Sequence, residues 1–302
     1  MKKADKIFDY IIYPANLIGC VTAITKSNEG AEVLLLNNYG FPGGELTHSL
    51  CCNQFLDDKI ISGKTLEIYN QIVEEKDSIV YRHLNQVIIN PETIKYVLQY
   101  VLEKNKIDLL FHVVPTRIEK SESTNKIILS GKEGQLSFSA KKIIDCSENF
   151  SLIKIGGIRR KLIDANFNLF VSKSGSNGFN IDLSKDEEIV HHHSVKKFVH
   201  LFDLRFWVSL NIPVGKDELF LENEAQKILN EYEKFLLTKG ARLQLIAPQT
   251  YRKYEAKTLP DFSESVTHTN SLIENELSIE QTFIKSALVE KKLKEEVKQN
   301  DK

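Results

Sequence analysis

The 302-residue sequence lacks the cysteine pattern of a disulfide scaffold or a metal site. Its four cysteines (Cys20, Cys51, Cys52 and Cys146) include no C-x-x-C pair and no metal-ligand spacing. Cys51 and Cys52 are adjacent, and a bridge between neighbours would be strained. We therefore predict reduced, semi-buried thiols in a cytoplasmic protein rather than a secreted one.

The chain also lacks an excess of either charge and a long apolar run. Its formal net charge is −1, with 27% charged and 42% apolar residues, as in ordinary globular proteins. This balance gives no reason to expect binding to nucleic acid or to an anionic membrane. No stretch approaches the roughly 20 apolar residues of a membrane-spanning helix. We predict no nucleic-acid partner and no membrane span.

One N-terminal segment is similar to a bacterial lipoprotein signal, because two lysines precede an apolar run that ends in LIGC at residues 17–20. Asp5 and Asp9 fall where such a signal needs an uninterrupted apolar stretch. The same residues also fit a strand and a helix of the fold. A cytoplasmic location is therefore the prediction that we favour.

The first 36 residues predict a strand, a helix and a second strand. Residues 9–13 (DYIIY) and 32–36 (EVLLL) are short apolar runs typical of buried strands, and residues 17–26 can form the helix between them. A βαβ unit of this size is typical of dinucleotide-binding folds. The fold class that it indicates is α/β, with a mostly parallel sheet.

The turn after the first strand is short of glycine. Dinucleotide-binding folds carry G-x-G-x-x-G there, so that the backbone can approach a pyrophosphate. Here Pro14 and Asn16 stand at the first two glycine positions and Gly19 at the third. The remaining glycine serves helix–strand packing, so the turn predicts the fold more strongly than it predicts the ligand.

The rest of the chain predicts further helices and strands. The clearest helix begins after Asn90, a good N-cap, with Pro91 at its first position and apolar residues at steps of three and four. Ser278 and Gln281 form a capping-box pattern before a last helix, whose charged tail from Lys291 is expected to fray. The other predicted elements are helices at 65–76 and 222–239, a strand at 108–114, a β-meander at 117–120, 126–129 and 135–139, a return strand at 142–145, strands at 167–171 and 179–183, an extended segment at 191–210 and a loop at 259–270.

Five segments together resemble one known family. They are DYIIYPANLIG (9–19), GAEVLLLNNYGFPGG (30–44), NPETIKYVLQYVLEKNKIDLLFHVVP (90–115), KKIIDCSE (141–148) and EKFLLTKGARLQLIAPQTYRKYE (233–255). Their order is similar to that of FAD-dependent oxidoreductases with the glutathione-reductase-like FAD/NAD(P)-binding fold. The resemblance implies a Rossmann-like domain at 1–155, a smaller, mainly β substrate-domain-like segment at 156–215, and a helical C-terminal part at 216–302.

The resemblance also implies FAD as the cofactor and assigns its contacts to positions of this chain. The matched positions are the pyrophosphate turn (Pro14, Asn16, Gly19), the ribose position (Asn37), the glycine pair on the flavin side (Gly43, Gly44), the adenine position (Val114), the turn that is D-A-T-G in the family (Cys146, Ser147, Glu148) and the arginine segment (Arg252). Arg252 would face substrate or flavin, and a surface cation is an equally good interpretation.

Several of these positions depart from the family pattern. Proline has no N–H to donate, Asn16 adds bulk, and Asn37 lacks the charge of the usual acidic residue. Glu148 places a carboxylate where a glycine gives clearance. The glycine- and aspartate-containing segment that closes over the flavin in the family has no counterpart in the sequence of residues 257–302.

The best alternative chemistry is a metal site at His191-His192-His193. On a strand, His191 and His193 would share a face and could converge with a third ligand. No HExxH or similar ligand motif accompanies them, so a solvent-edged strand is the interpretation that we favour. We predict no metal.

Two functions follow from these observations. In the first, the chain is a FAD-dependent oxidoreductase-like protein with an eroded dinucleotide site, which is catalytically weak or inactive and serves as a binding or assembly protein. In the second, it is an active flavin-dependent oxidoreductase that accepts a hydride from a small organic substrate. The expected partners are a small-molecule substrate, another protein or a second copy of the chain.

Overall fold

A computed structural model describes residues 6–121, 123–155, 160–173, 187–201, 204–215, 218–256, 266–272 and 277–300. The chain forms two compact units. The first comprises Met1–Thr47, Cys52–Lys161 and Ala256–Lys302, and the second comprises His48–Cys51 and Leu162–Glu255. The predicted strand at 179–183 lies outside the described residues. The three-part domain division proposed from the sequence stays a prediction.

The strands, in chain order, are β1 (Ile7–Tyr13), β2 (Val33–Leu36), β3 (Asn53–Phe55), β4 (Ile79–His83), β5 (Gln86–Ile89), β6 (Asp108–Leu110), β7 (Val114–Lys120), β8 (Asn125–Gly131), β9 (Gly134–Asp145), β10 (Arg160–Lys173), β11 (Val195–His200), β12 (Arg205–Asn211), β13 (Ala241–Ile246), β14 (Tyr251–Ala256) and β15 (Val266–His268). The α-helices are α1 (Leu17–Asn28), α2 (Glu45–His48), α3 (Gly63–Glu74), α4 (Pro91–Lys104), α5 (Ser151–Ile155), α6 (Glu187–Val190), α7 (Glu218–Thr238) and α8 (Thr282–Asn300). Short 3₁₀ helices span Thr269–Leu272 and Ile279–Gln281.

The main sheet of the first unit has seven strands in the order β6-β2-β1-β9-β8-β7, with β15 also paired to β9. Strands β6, β2, β1, β9 and β15 are parallel to one another, whereas β7, β8 and β9 are antiparallel. In the register of the centre, Ile12 lies opposite Leu35 on one side and Ile144 on the other. The predicted α/β class with a mostly parallel sheet and a β-meander is confirmed.

The helices of the first unit pack on the sheet, and this packing buries their apolar faces. One core cluster joins buried side chains of α1, α3, α4 and α8 with the strands, and a second cluster lies around Phe8, Ile11 and Ile127. The predicted N-cap of α4 is confirmed, since Asn90 Oδ1 accepts a hydrogen bond from Glu92 N at 3.0 Å. The capping box of Ser278 and Gln281 is present as well.

Five predicted elements differ from the structure. The third meander strand and the return strand are one continuous strand, β9, which pairs with β8 along its first part and with β1 along its second. Strand β15 lies inside the predicted loop at 259–270, and α8 continues to Asn300 where fraying was expected. The strand predicted at 108–114 ends at Leu110, and its last residue begins β7 instead.

The second unit contains a five-stranded sheet in the order β11-β12-β10-β13, with β14 also paired to β10. Neighbours among β11, β12, β10 and β13 are antiparallel. Helix α7 packs on β13. Trp207 Nε1 donates to Leu50 O at 3.0 Å, which ties the short segment His48–Cys51 into this unit. The extended segment predicted at 191–210 corresponds to β11 and most of β12.

Candidate functional site

The N-terminus of α1 is organised by the side chain of Asn16. This residue is the N-cap, and its Oδ1 accepts a hydrogen bond from Gly19 N at 2.8 Å. Its Nδ2 donates to the carbonyl of Cys146 at 2.7 Å, across 130 positions of sequence. Asn16 is 3% exposed. The asparagine at the second glycine position therefore joins the first turn to the end of β9.

Gly19 holds the helix close to the preceding turn. A Cβ atom at this position would lie 2.0 Å from the carbonyl oxygen of Pro14, far inside van der Waals contact. A larger residue would push α1 away from the turn. This close contact agrees with the predicted role of Gly19 in packing the helix against the strand and turn before it.

The loop after β2 folds back onto Asn16. Gly43 N donates to Ala15 O at 2.8 Å, and Gly43 forms an isolated parallel bridge with Asn16. Gly44 adopts a φ of 57°, and a Cβ atom there would lie 2.3 Å from the Cβ of Asn16. The glycine pair therefore allows close approach to a protein side chain.

Asn37 follows β2 and is held by bonds within the protein. It is 2% exposed, and its Nδ2 donates to Phe41 O at 2.7 Å within its own loop. Its backbone carbonyl accepts a hydrogen bond from Val113 N at 3.0 Å. The next residue, Val114, is half exposed and begins β7. The position assigned to ribose is therefore bonded to the residue that precedes the position assigned to adenine.

The turn after β9 is fixed by the buried carboxylate of Asp145. This carboxylate accepts hydrogen bonds from Ser147 N at 2.9 Å, Ser147 Oγ at 2.5 Å and Leu152 N at 3.0 Å. Cys146 N donates to Tyr13 O at 2.6 Å, so the turn is also bound to the end of β1. Cys146 and Ser147 are both buried.

A buried group of charges lies beside these turns. Glu148 forms an ion pair with Lys285 of α8 at 2.5 Å, and the two side chains are 13% and 6% exposed. The pKa of Glu45 is raised to about 7, mainly by burial and also by nearby Glu148, whereas Lys285 and the Asn16 side chain oppose the shift. Sequence reasoning missed Glu45 and Lys285. Hydrophobic periodicity gave no signal for Lys285, which lies about 200° around the last helix from Phe283.

Strand β15 and the residue that follows it supply two further polar groups at the end of β9. His268 is 4% exposed, its Nε2 lies 3.1 Å from the carbonyl oxygen of Ser147, and its ring stacks on Phe150 with centroids 4.5 Å apart. Burial lowers the pKa of His268. Thr269 Oγ1 donates to Asp145 O at 3.4 Å. Strand β15 and the 3₁₀ helix after it therefore pack at the end of β9. Their described residues contain no glycine–aspartate pair of the kind that closes over the flavin in the family.

The remaining predicted candidates lie in the second unit. Arg252 forms an ion pair with Glu222 of α7, and its Nε donates to Thr250 Oγ1 at 3.0 Å. The prediction that His191–His193 lie on a strand is wrong, because these residues form a turn after α6, with the rings of His192 and His193 4.3 Å apart. Within the described residues, no group of three or more His, Cys, Asp or Glu side chains is arranged to hold a metal ion.

All four cysteines lie within the described residues, are buried and form no disulfide. Burial raises the pKa of Cys52 to about 12 and that of Cys146 well above its usual value. Thiols with raised pKa values are poor nucleophiles, because little thiolate is present near neutral pH. These cysteines therefore act as packing residues.

Sequence comparison decides the family. The sequence model of the family described as "FAD dependent oxidoreductase" matches residues 9–205, which is more than half of the chain. This chain belongs to that family. The cofactor of the family is FAD, as the resemblance implied. A search of the curated proteins gave no match.

Several solved structures share the fold of this family member. It resembles p-nitrophenol 4-monooxygenase PnpA from Pseudomonas putida DLL-E4, with a TM-score of 0.56 and 13% identity over 87% of this chain and 71% of that one. It is also similar to a geranylgeranyl bacteriochlorophyll reductase-like protein from Thermoplasma acidophilum, with a TM-score of 0.60 and 9% identity over 98% and 80%.

A third similar structure is aklavinone-11 hydroxylase in complex with FAD and aklavinone, with a TM-score of 0.56 and 14% identity over 87% of this chain. The chain spans 57% of the length of that hydroxylase. Identities this low show the fold alone. In the described part of this family member, each helix is too short or too polar to cross a bilayer.

Proposed function

We propose that this chain is a FAD-dependent oxidoreductase-like protein whose dinucleotide site is eroded, so that it is catalytically weak or inactive and acts as a binding or assembly protein. The observation that carries the proposal is that the Asn16 side chain is buried and fully engaged by the protein. Its Oδ1 accepts a hydrogen bond from Gly19 N, and its Nδ2 donates one to the carbonyl of Cys146 at the end of β9. A diphosphate in the family's pose would need that N–H and the space of that side chain.

The surroundings of Asn16 support the same conclusion. Residues 11–26 are all buried by protein atoms, so the first turn offers no open surface to a diphosphate. Pro14 has no N–H, and the Gly43 N–H is already donated to Ala15 O. Lys285, the cation beside these turns, is already paired with Glu148 and is therefore engaged by the protein itself. These residues do not fit FAD in the family's pose.

Purified native protein tests this proposal directly. We expect a colourless protein that releases no flavin on denaturation and whose thermal midpoint does not rise with added FAD, because a ligand that binds only the folded state must stabilise it. A yellow protein, or a midpoint that climbs with FAD concentration, would overturn the proposal. Thermal scans with AMP in place of FAD control for nonspecific nucleotide effects.

The second candidate is an active flavin-dependent oxidoreductase with a small organic substrate. It is favoured by Gly43 and Gly44, which have φ values of 114° and 57°, a conformation that suits the family's glycine pair. Arg252 is then the candidate substrate residue. The FAD titration distinguishes the two functions, since only this candidate requires binding.

We also propose a cytoplasmic location and a protein partner or a second copy of the chain. Four buried cysteines that form no disulfide support a reducing compartment. Light scattering of the purified protein tests self-association, and fractionation of the source cells tests the location. A monomer in solution over the micromolar range would remove the second copy as the partner.

A further inference from the structure

A cavity of about 670 Å³ lies in the first unit between α3, the loop after β3 and the hairpin of β4 and β5. Its floor is apolar, because Leu56, Tyr69, Val87 and Ile284 line it and are each at most 9% exposed. The volume falls within the roughly 300–1,000 Å³ of small-molecule sites. No residue assigned to FAD by the family resemblance lines this cavity.

An arginine and a tyrosine are held together in the wall of the cavity. Arg82 Nη2 donates to the hydroxyl of Tyr69, and the Tyr69 ring packs edge-on against Phe283 with centroids 5.6 Å apart. That bond uses one of the five N–H donors of the guanidinium. The guanidinium makes no other hydrogen bond to the described residues, so it has donors left for a ligand.

Charges of both signs surround the apolar floor. Lys59 and Arg82 are the cations, and Asp57 and Asp58 are the carboxylates. Asp57 is partly engaged, since its Oδ1 accepts from Lys59 N at 2.9 Å, whereas Asp58 has no ion pair within the described part of the chain. Burial raises the pKa of Tyr69, nearby Arg82 opposes the shift, and Asp58 adds to it. Both charges therefore act on the same hydroxyl.

We propose that this cavity binds a small aromatic zwitterion of the amino-acid class. The aromatic ring of the ligand lies on the apolar floor, its carboxylate receives the free donors of Arg82, and its ammonium group lies against Asp58. A purely apolar ligand would gain nothing from either charged group, and a simple carboxylate or amine would gain an ion pair with only one of them. A ligand with both charges complements the lining.

Three probes that share one ring separate these contributions. The full chain is titrated by calorimetry with L-phenylalanine, with 3-phenylpropionate, which lacks the ammonium group, and with phenethylamine, which lacks the carboxylate. We expect L-phenylalanine to bind most tightly. Arg82→Gln should weaken the binding of the two probes that carry a carboxylate roughly tenfold and leave the binding of phenethylamine unchanged. Asp58→Asn should weaken the binding of the two probes that carry an ammonium group and leave the binding of 3-phenylpropionate unchanged.

Matched substitutions elsewhere provide the controls. Arg117→Gln removes an exposed arginine of β7, and Asp77→Asn alters an exposed aspartate outside the cavity. Arg82 and Asp58 are exposed as well, and unchanged thermal midpoints will verify that their variants fold. The proposal is overturned if none of the probes binds at millimolar concentration, or if the cavity variants and the controls respond alike. FAD has no part in this test, so its outcome is independent of the proposed function.

Discussion

The carboxylate of Glu290 on α8 accepts hydrogen bonds from the backbone N–H and the hydroxyl of Thr65 on α3, at 3.2 and 3.4 Å. Lys64 N donates to the same carboxylate at 3.0 Å. Ser62, the N-cap residue of α3, makes no side-chain cap bond. A residue 225 positions away in the sequence therefore caps this helix, and its negative charge suits the positive end of the helix dipole.

Replacing Glu290 should destabilise the first unit. Glu290→Ala removes the cap and leaves buried N–H groups without acceptors, so we expect the free energy of unfolding to fall by roughly 1–3 kcal/mol. The measurement is equilibrium urea unfolding. Glu295→Ala, an exposed site on the same helix, should change stability by less than about 0.5 kcal/mol. Equal losses at the two sites would contradict the capping role.

The N-caps Asn16 and Asn90 allow a matched comparison. Asn90→Ala removes one local cap bond, which should cost about 1 kcal/mol. Asn16→Ala also removes the bond to Cys146 O, so a buried carbonyl loses its partner and the cost should be about 2–3 kcal/mol. Urea unfolding of both variants measures the difference. Similar losses would show that the contact with the end of β9 contributes little.

The raised pKa of Glu45 predicts that stability falls as pH rises from about 4.5 to about 7. In this range the folded state binds the Glu45 proton more tightly than the unfolded state, so deprotonation favours unfolding. The full loss, on the order of 1–3 kcal/mol, should be present above pH 7. Unfolding free energies measured at pH 5, 6, 7 and 8 test this expectation.

Glu45→Gln is the control for that pH profile. The variant lacks the titrating group, so it should be more stable than the native protein at pH 8 and should lose the decline that Glu45 causes. The lowered pKa of buried His268 contributes the opposite slope, because its folded form releases its proton more easily. This contribution is present in both proteins and cancels in their difference. A difference that does not vary with pH would refute the assignment.

Lys285 should matter more than a surface lysine. Lys285→Met leaves the carboxylates of Glu148 and Glu45 buried without their cation, and breaking such a pair should cost about 3 kcal/mol. Lys95→Met breaks the more exposed pair with Glu92 and should cost less than about 1 kcal/mol. The double variant Lys285→Met with Glu148→Leu should recover part of the loss. Equal effects of the two lysine variants would contradict the prediction.

Local patterns predicted much of the first unit correctly. The βαβ start, the cap of α4 and the capping box before the last helix depend on residues within a few positions of one another. Helix α3 shows the limit of this reasoning. Its apolar residues Leu66 and Val73 are each 39% exposed, whereas the polar residue Thr65 is fully buried and bonds to Ser286 and Glu290 of α8.

The sequence by itself determined the α/β class, the family and the unusual residues at the pyrophosphate turn. Only the tertiary structure decided what those residues do. Asn16 bonds to Cys146, Glu148 pairs with Lys285, and β15 lies beside β9. The first two contacts join residues 130 and 137 positions apart, and the strand pairing also bridges distant parts of the chain. Hydrophobic periodicity carries no information about such partners, because it reports which face is buried and not what covers it.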